Sequence, residues 1–288
     1  MNQAQKLADI VNQLPTEKNI QTRFIAVTSG KGGVGKTTFS ANIGYLLSRR
    51  GYRVGLFDAD IGLANLDVML GIKSEKTILD LMNGECSVED IIVHIDEFLC
   101  LIPGENGGEI LKFGERAMLD RFYTEMKKLN FLDYLVIDTG AGIGENVQAF
   151  LMAADHTIVV TTPDPAAITD AYAMVKTLHA AKKPLALVIN QTQNDREGEL
   201  VFEKIKRVAS LNMTDLRLDL LGLLPRDADL ARSVRNRYLL AKEVPNAEIV
   251  SRLNMVLDNL LQLMEHGVLD TPQTSGLERF FKRLLTKF

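Results

Sequence analysis

Short continuous runs of apolar and β-branched residues punctuate the chain at Phe24–Thr28, Arg53–Phe57, Leu132–Ile137, His156–Thr162 and Leu185–Ile189. Runs of this length with no polar alternation predict strands buried on both faces, as in a parallel sheet. The stretches between them are long enough for crossover helices. The first unit is complete in the sequence: the run ends in a glycine-rich turn, and Thr37–Arg50 then carries apolar positions at helical spacing. The expected fold class is α/β: a doubly wound, mostly parallel sheet with helices on both faces and ligands at the carboxyl ends of the strands.

The same patterning sets off both ends of the chain. In residues 1–14, Leu7, Ile10, Val11 and Leu14 recur at helical spacing, and Pro15 ends the pattern. This predicts an appended helix over 1–14, a linker over 15–22 and a main domain over 23–264. Residues 265–276 are rich in breakers and predict a flexible tether. Beyond it, Leu277, Phe280, Phe281, Leu284, Leu285 and Phe288 fall at i, i+3, i+4, i+7, i+8 and i+11, so one helical face of 277–288 is apolar. Arg279, Lys282, Arg283 and Lys287 stand against Glu278, four charges less one, a net +3. Such a helix suits the plane of an anionic membrane surface. Each basic residue near an anionic leaflet contributes about 1 kcal/mol, and half-burying the apolar face adds roughly 5–9 kcal/mol before ordering costs. One tail then binds marginally, whereas two on one dimer gain about 10²–10⁴ in avidity. The alternative is a helix packed on its own domain or on a partner.

Composition narrows the class. The chain has 288 residues, 46% hydrophobic and 24% charged, enough for one large domain. It has no long apolar run and no signal-like start, so the expected location is cytoplasmic, with peripheral attachment to the inner face of the cell membrane through the tail. Cys86 and Cys100 have no partner motif and read as reduced core thiols. The net charge of −4 gives no basic surface for a nucleic-acid backbone, and no nucleic-acid partner is expected.

The chemistry is concentrated in Gly30-Lys31-Gly32-Gly33-Val34-Gly35-Lys36-Thr37-Thr38. This matches G-x-x-x-x-G-K-[ST] between a predicted strand and a predicted helix. The glycines let backbone N–H groups converge on anionic oxygens, Lys36 reaches the β and γ phosphates, and Thr37 places its hydroxyl on Mg²⁺. The expected cofactors are ATP and Mg²⁺. Two aspartates, Asp58 and Asp60, close the second run, and on an extended end i and i+2 point the same way. Asp138 ends the apolar run Leu135-Val-Ile and is the expected metal-site carboxylate.

Lys31 starts too early in the loop to share phosphate oxygens with Lys36 without like-charge repulsion. The stretch K-G-G-V-G-K-T-T resembles the deviant Walker ATPases of the MinD/ParA type, and the resemblance covers residues 22–262. In that family this lysine crosses a dimer interface, so the resemblance implies an ATP-bound homodimer. Catalytic roles are implied for Lys31, Lys36 and Asp60, with Asp60 orienting the attacking water, and metal roles for Thr37, Asp58 and Asp138, with Asp58 in the outer shell. Asn190 and Pro225-Arg226-Asp227 resemble the family's adenine-contacting elements.

Asp58-Ala-Asp-Ile-Gly-Leu-Ala-Asn-Leu-Asp67 looks like the MinD-side switch region. Nitrogenase iron protein shares the loop, but Cys86 and Cys100 do not stand at its cluster positions. Dethiobiotin-synthetase-like ligases share the scaffold, with no acceptor site identifiable in this sequence. Asn2-Gln3-Ala4-Gln5-Lys6-Leu7 resembles the D-Q-A-x-x-L-R motif of the flagellar MinD-like ATPase family FlhG (also called YlxH), with Asn2 for Asp and Ala8 for Arg. Gln3, Ala4 and Leu7 match. That family's implied partners are the GTPase FlhF and C-ring proteins such as FliM and FliN or FliY. The alternatives are a MinD-like septum-site regulator and a ParA-like DNA-bound partition ATPase.

Overall fold

The computed structural model describes residues 22–60, 66–104, 116–266 and 276–285. Eight strands form one sheet: β1 (Arg23–Ser29), β2 (Val54–Ala59), β3 (Val93–Asp96), β4 (Leu99–Ile102), β5 (Tyr134–Ala141), β6 (His156–Thr161), β7 (Leu185–Thr192) and β8 (Asp219–Pro225). Their order is β3-β4-β2-β5-β1-β6-β7-β8. All pairs are parallel except β3 with β4, a hairpin at one edge. The longer helices are α1 (Lys36–Arg49), α2 (Arg116–Met126), α3 (Glu145–Ala153), α4 (Pro165–Ala180), α5 (Asp195–Asn212), α6 (Ala228–Asn236), α7 (Glu248–His266) and α8 (Gly276–Leu285).

Both faces of the sheet are covered, which explains the unbroken apolar runs. Leu135, Ile137, Val159 and Leu187 face one core with Phe150 of α3 and Met174 of α4. Val136, Ile158 and Val188 face the other with Ile43 of α1 and Leu257 of α7. The expected α/β class holds. The β3–β4 edge hairpin was not predicted, and β8 was read only as the approach to Pro225. Cys100 lies buried in β4, where burial pushes its thiol up to about 12, and Cys86 is half-buried; both are free. No helix among the described residues is long and apolar enough to cross a membrane.

The carboxy-terminal end departs most from expectation. α7 runs through His266, two residues into the predicted tether. α8 then packs on the body it was expected to stand apart from. Leu277, Phe280 and Leu284 are buried in the same core as α3. The Phe280 ring stacks on Phe24 of β1 at 4.2 Å between centroids and 9° between planes. Gly276 permits the approach, since a Cβ there would stand 2.0 Å from the Thr22 carbonyl oxygen. Asp155 anchors the polar side, accepting from Arg279 at 3.2 Å and pairing with Arg283 at 3.6 Å. This is the arrangement left open as the alternative, a helix docked on its own domain. Removing 277–288 would therefore uncover Phe24 and disturb the fold as well as any membrane contact. Phe288 lies outside the described residues, and the side chains of Phe281 and Leu285 are not among those described.

Candidate functional site

Every sequence-predicted nucleotide- or metal-site residue that the structure describes lies at the carboxyl ends of the strands. β1 delivers the loop 30–35, β2 delivers Asp58 and Asp60, β5 delivers Asp138, β7 delivers Asn190 and β8 delivers Pro225. Asp58 and Asp138 are register partners across β2 and β5. Gln3, Ala4 and Leu7 lie outside the described residues.

The loop turns into α1 at Gly35, whose φ of 91° and close approach to Asn190 exclude a side chain: a Cβ would sit 2.4 Å from Asn190 Nδ2. Asn190 is buried and donates from Nδ2 to the Val34 carbonyl at 2.8 Å. Gln191 reaches the Gly33 carbonyl at 3.5 Å. These bonds fix the loop's carbonyls outward, which leaves its N–H groups to the loop interior and the amino end of α1, where an anion is favoured.

The two lysines have separate environments. Lys36 is buried and its Nζ stands 3.2 Å from Asp138 Oδ1, with side chains 8% and 0% exposed. Lys31 is at the surface, its Nζ 3.0 Å from Asp164 Oδ1, with side chains 45% and 49% exposed. Asp164 caps α4 by accepting from the Ala166 and Ala167 N–H groups, both at 3.0 Å. The Ala167 N–H, and then the Lys31 ammonium, hold its carboxyl below the ordinary carboxylate range. Both partners are open to solvent, which screens the pair, so little holds Lys31 to Asp164.

Asp138 Oδ1 also accepts from Ser40 Oγ at 2.9 Å, while Oδ2 is buried with no hydrogen-bond partner among the described residues. A buried, unpaired carboxylate oxygen beside the loop, with the Thr37 hydroxyl at the start of α1, is a donor set suited to Mg²⁺, which takes one or two protein oxygens and completes its shell with phosphate and water. Asp58 is buried, and its oxygens accept from the Asp60 N–H at 3.1 Å and the Leu66 N–H at 2.8 Å. It therefore also ties Asp60 and Leu66, one on each side of residues 61–65, to the end of β2. Asp60 lies beyond the end of the strand, so strict alternation does not extend to it. Its carboxylate faces Gly140 of β5, where an added Cβ would stand 3.0 Å from Oδ1.

At the far side, Arg226 donates from Nε to the Gln191 carbonyl at 3.3 Å. Asp227 accepts from the Leu230 N–H at 2.7 Å and caps α6. Sequence reasoning missed Ser40 and Asp164. Ser40 sits one turn after Lys36, and Asp164-Pro165 carries the signal of a helix start; neither spacing reveals the partner across the sheet.

A family model described as ParA, NUBPL iron-transfer P-loop NTPase, matches residues 20–261. The flagellum site-determining protein YlxH of Helicobacter pylori is 46% identical, covering 99% of this chain and 98% of that protein. The antiactivator FleN of Pseudomonas aeruginosa is 32% identical, covering 91% and 93%. Among solved structures, the cell division ATPase MinD of Pyrococcus furiosus superposes with a TM-score of 0.68 at 25% identity, covering 84% of this chain and 99% of that one.

Proposed function

The chain belongs to the ParA/MinD family of P-loop NTPases, on the branch of the flagellar regulators YlxH and FleN, and from that premise we propose that it is an ATP-dependent dimerising switch that sets flagellar number or placement. It hydrolyses ATP to ADP and phosphate. The single observation that carries this reading is the separation of the two loop lysines: Lys36 is buried beside Asp138, and Lys31 is held at the surface by an exposed carboxylate.

Lys36 leaves Asp138 for the β and γ phosphates, a change that frees the carboxylate for the metal site. Thr37 and Asp138 would hold Mg²⁺ there, with Asp58 in the outer shell, and the ion supplies neutralisation of charge on the triphosphate oxygens. Asp60, directed toward β5, orients the attacking water. Asn190, Pro225, Arg226 and Asp227 flank the base. Lys31 leaves Asp164 and reaches the nucleotide of the facing subunit, a deviant Walker A role in which a cation delivered in trans completes the site as an arginine finger does.

The same cycle sets membrane contact. α8 cannot present Leu277, Phe280 and Leu284 to lipid while they are packed on the body. Moving three apolar side chains from one apolar environment to another changes transfer energy little, although each is worth about 1.5–3 kcal/mol against water. The docked and lipid-bound states are therefore close enough for dimerisation to select between them. In this reading Gln3, Ala4 and Leu7 of the amino-terminal segment stimulate the GTPase FlhF, and FliM and FliN or FliY are the C-ring partners; the support for both is the resemblance of residues 2–7 to the D-Q-A-x-x-L-R motif, from which Asn2 and Ala8 depart.

Asp60→Ala tests the chemistry. It removes the water-orienting carboxylate and leaves Lys36 and Asp138 intact. The expected result is ATP affinity within about threefold of the parent and turnover lowered about 10²–10⁴-fold, the usual range for a positioned general base, with dimers accumulating. Normal turnover in this variant would remove Asp60 from the mechanism.

A further inference from the structure

Asp155 precedes β6 and Lys183 precedes β7, so both lie at the amino-terminal ends of the strands, across the sheet's length from the glycine loop. Here a cleft of about 540 Å³ opens between the end of α3, the turn joining α4 to β7, and α8, with Asp155, Lys182, Lys183 and Arg283 among its walls. Charge in this seam is unbalanced. Among the described side chains, Lys182, Lys183, Arg279 and Arg283 stand around the carboxylate of Asp155, four positive charges against one, a net +3 among these five residues.

The one carboxylate is already fully engaged. Its Oδ1 serves both arginines, and its Oδ2 accepts from the Phe24 N–H at 3.2 Å. Lys183 donates to the Ala154 carbonyl at 2.7 Å, a neutral acceptor, so that its charge is offset only by Asp155, which it shares with the two arginines. Arg279 Nη1 is buried with no hydrogen-bond partner among the described residues. Burial, and then the Arg283 guanidinium, with Arg279 adding further repulsion, push Lys183 down to about 8. Opposed cations at this density mark a place where an added anion is favourable. The mouth is open, with Lys182 exposed and the Arg283 side chain 43% exposed.

We propose that this cleft binds a phosphate group between Lys182 and Lys183 of the body and Arg283 of α8, and that the bound phosphate ties α8 to the body. The guanidinium fork and two ammonium groups match tetrahedral, multiply charged oxygens. A ligand that touches both sides of the seam binds the docked state alone and stabilises it by the factor 1 + [L]/Kd. The phosphate is either free in solution or the headgroup of an anionic lipid. The site rests on the geometry of the seam; only its consequence, that a free phosphate opposes membrane attachment, depends on reading α8 as a lipid-binding helix.

Amide hydrogen exchange of residues 277–285 in the full chain measures docking without reference to ATP turnover or dimerisation. Inorganic phosphate is compared with chloride at equal ionic strength, and dihexanoylphosphatidylglycerol below its micelle concentration with dihexanoylphosphatidylcholine. Phosphate at ten times its Kd is expected to slow exchange about tenfold. Lys182→Asn removes one charge, and because asparagine tolerates the left-handed backbone at this position (φ 53°) the turn is kept. It is expected to move the midpoint about fivefold higher. Protection by inorganic phosphate alone assigns a solution anion, and protection by the glycerol lipid alone or by both assigns a headgroup. Equal protection by chloride, no protection by either phosphate source, or an unchanged midpoint in Lys182→Asn would overturn the site while leaving the dimer reading untouched.

Discussion

Lys31→Ala is expected to lower ATP turnover about 10³-fold or more, the scale of a cation delivered in trans to the transferring phosphoryl group, and to leave ATP affinity within about threefold. The fold gives reasons to expect both halves. Lys31 is 45% exposed and its one described ion pair is to Asp164, itself 49% exposed. Asp164 keeps its bonds to the Ala166 and Ala167 N–H groups when the lysine is lost, so α4 remains capped. The phosphates of the same protomer stay with Lys36. Steady-state turnover set beside equilibrium binding of a fluorescent ATP analogue makes the comparison. A loss of affinity as large as the loss of rate would place Lys31 on its own subunit's nucleotide and remove the reason for dimerisation.

Phe280→Ala is expected to reduce the docking of α8 about a hundredfold or more, because truncating a buried phenylalanine costs about 3–5 kcal/mol where the site cannot collapse. Phe280 is 1% exposed and its ring is stacked on Phe24, so its removal leaves a cavity against a rigid strand. The same substitution weakens insertion into lipid by only about 1.5–3 kcal/mol, since a fluid leaflet closes around the smaller side chain and no cavity term applies. The balance between body and membrane therefore shifts toward the membrane. Hydrogen exchange at residues 277–285 should rise, and the lipid-bound fraction without nucleotide should rise with it. Unchanged protection would mean that the Phe24–Phe280 stack does not hold the helix down.

The nucleotide end of the molecule was legible because its signals are local. A continuous apolar run such as Phe24-Ile-Ala-Val27, followed after Thr28-Ser29 by the glycines that start at Gly30, describes a buried strand and a phosphate loop within a single stretch of chain. Asp138 was legible for the same reason, as an acid at the end of Leu135-Val-Ile. Ser40 and Asp164 were not, because their partners are distant: Ser40 lies 98 residues from Asp138, and Asp164 lies 133 from Lys31. No periodicity encodes such a pairing. Asp60 was placed by strand alternation, yet the strand ends at Ala59, and the Asp60 N–H is bound by the Asp58 carboxylate rather than by a neighbouring strand. The hairpin β3–β4 escaped notice because each strand is only four residues long: β3, at the sheet's edge, is mostly half-buried, and β4 is a fully buried apolar run too short to stand out.

The carboxy-terminal helix shows a different limit. Its apolar stripe was plain in the sequence, but a stripe of Leu277, Phe280 and Leu284 suits a protein core as well as a leaflet, because both are apolar solvents for the same face. What decides between them is the complementary surface, here Phe24, Thr22 and Asp155, drawn from two separate regions of the chain.

Light scattering on the intact chain at saturating non-hydrolysable ATP analogue and high protein concentration most directly tests whether nucleotide occupancy governs pairing. A mass of two protomers, returning to one when the analogue is replaced by ADP, is the predicted result. A mass of one protomer under both nucleotides would contradict the delivery of Lys31 across a dimer interface.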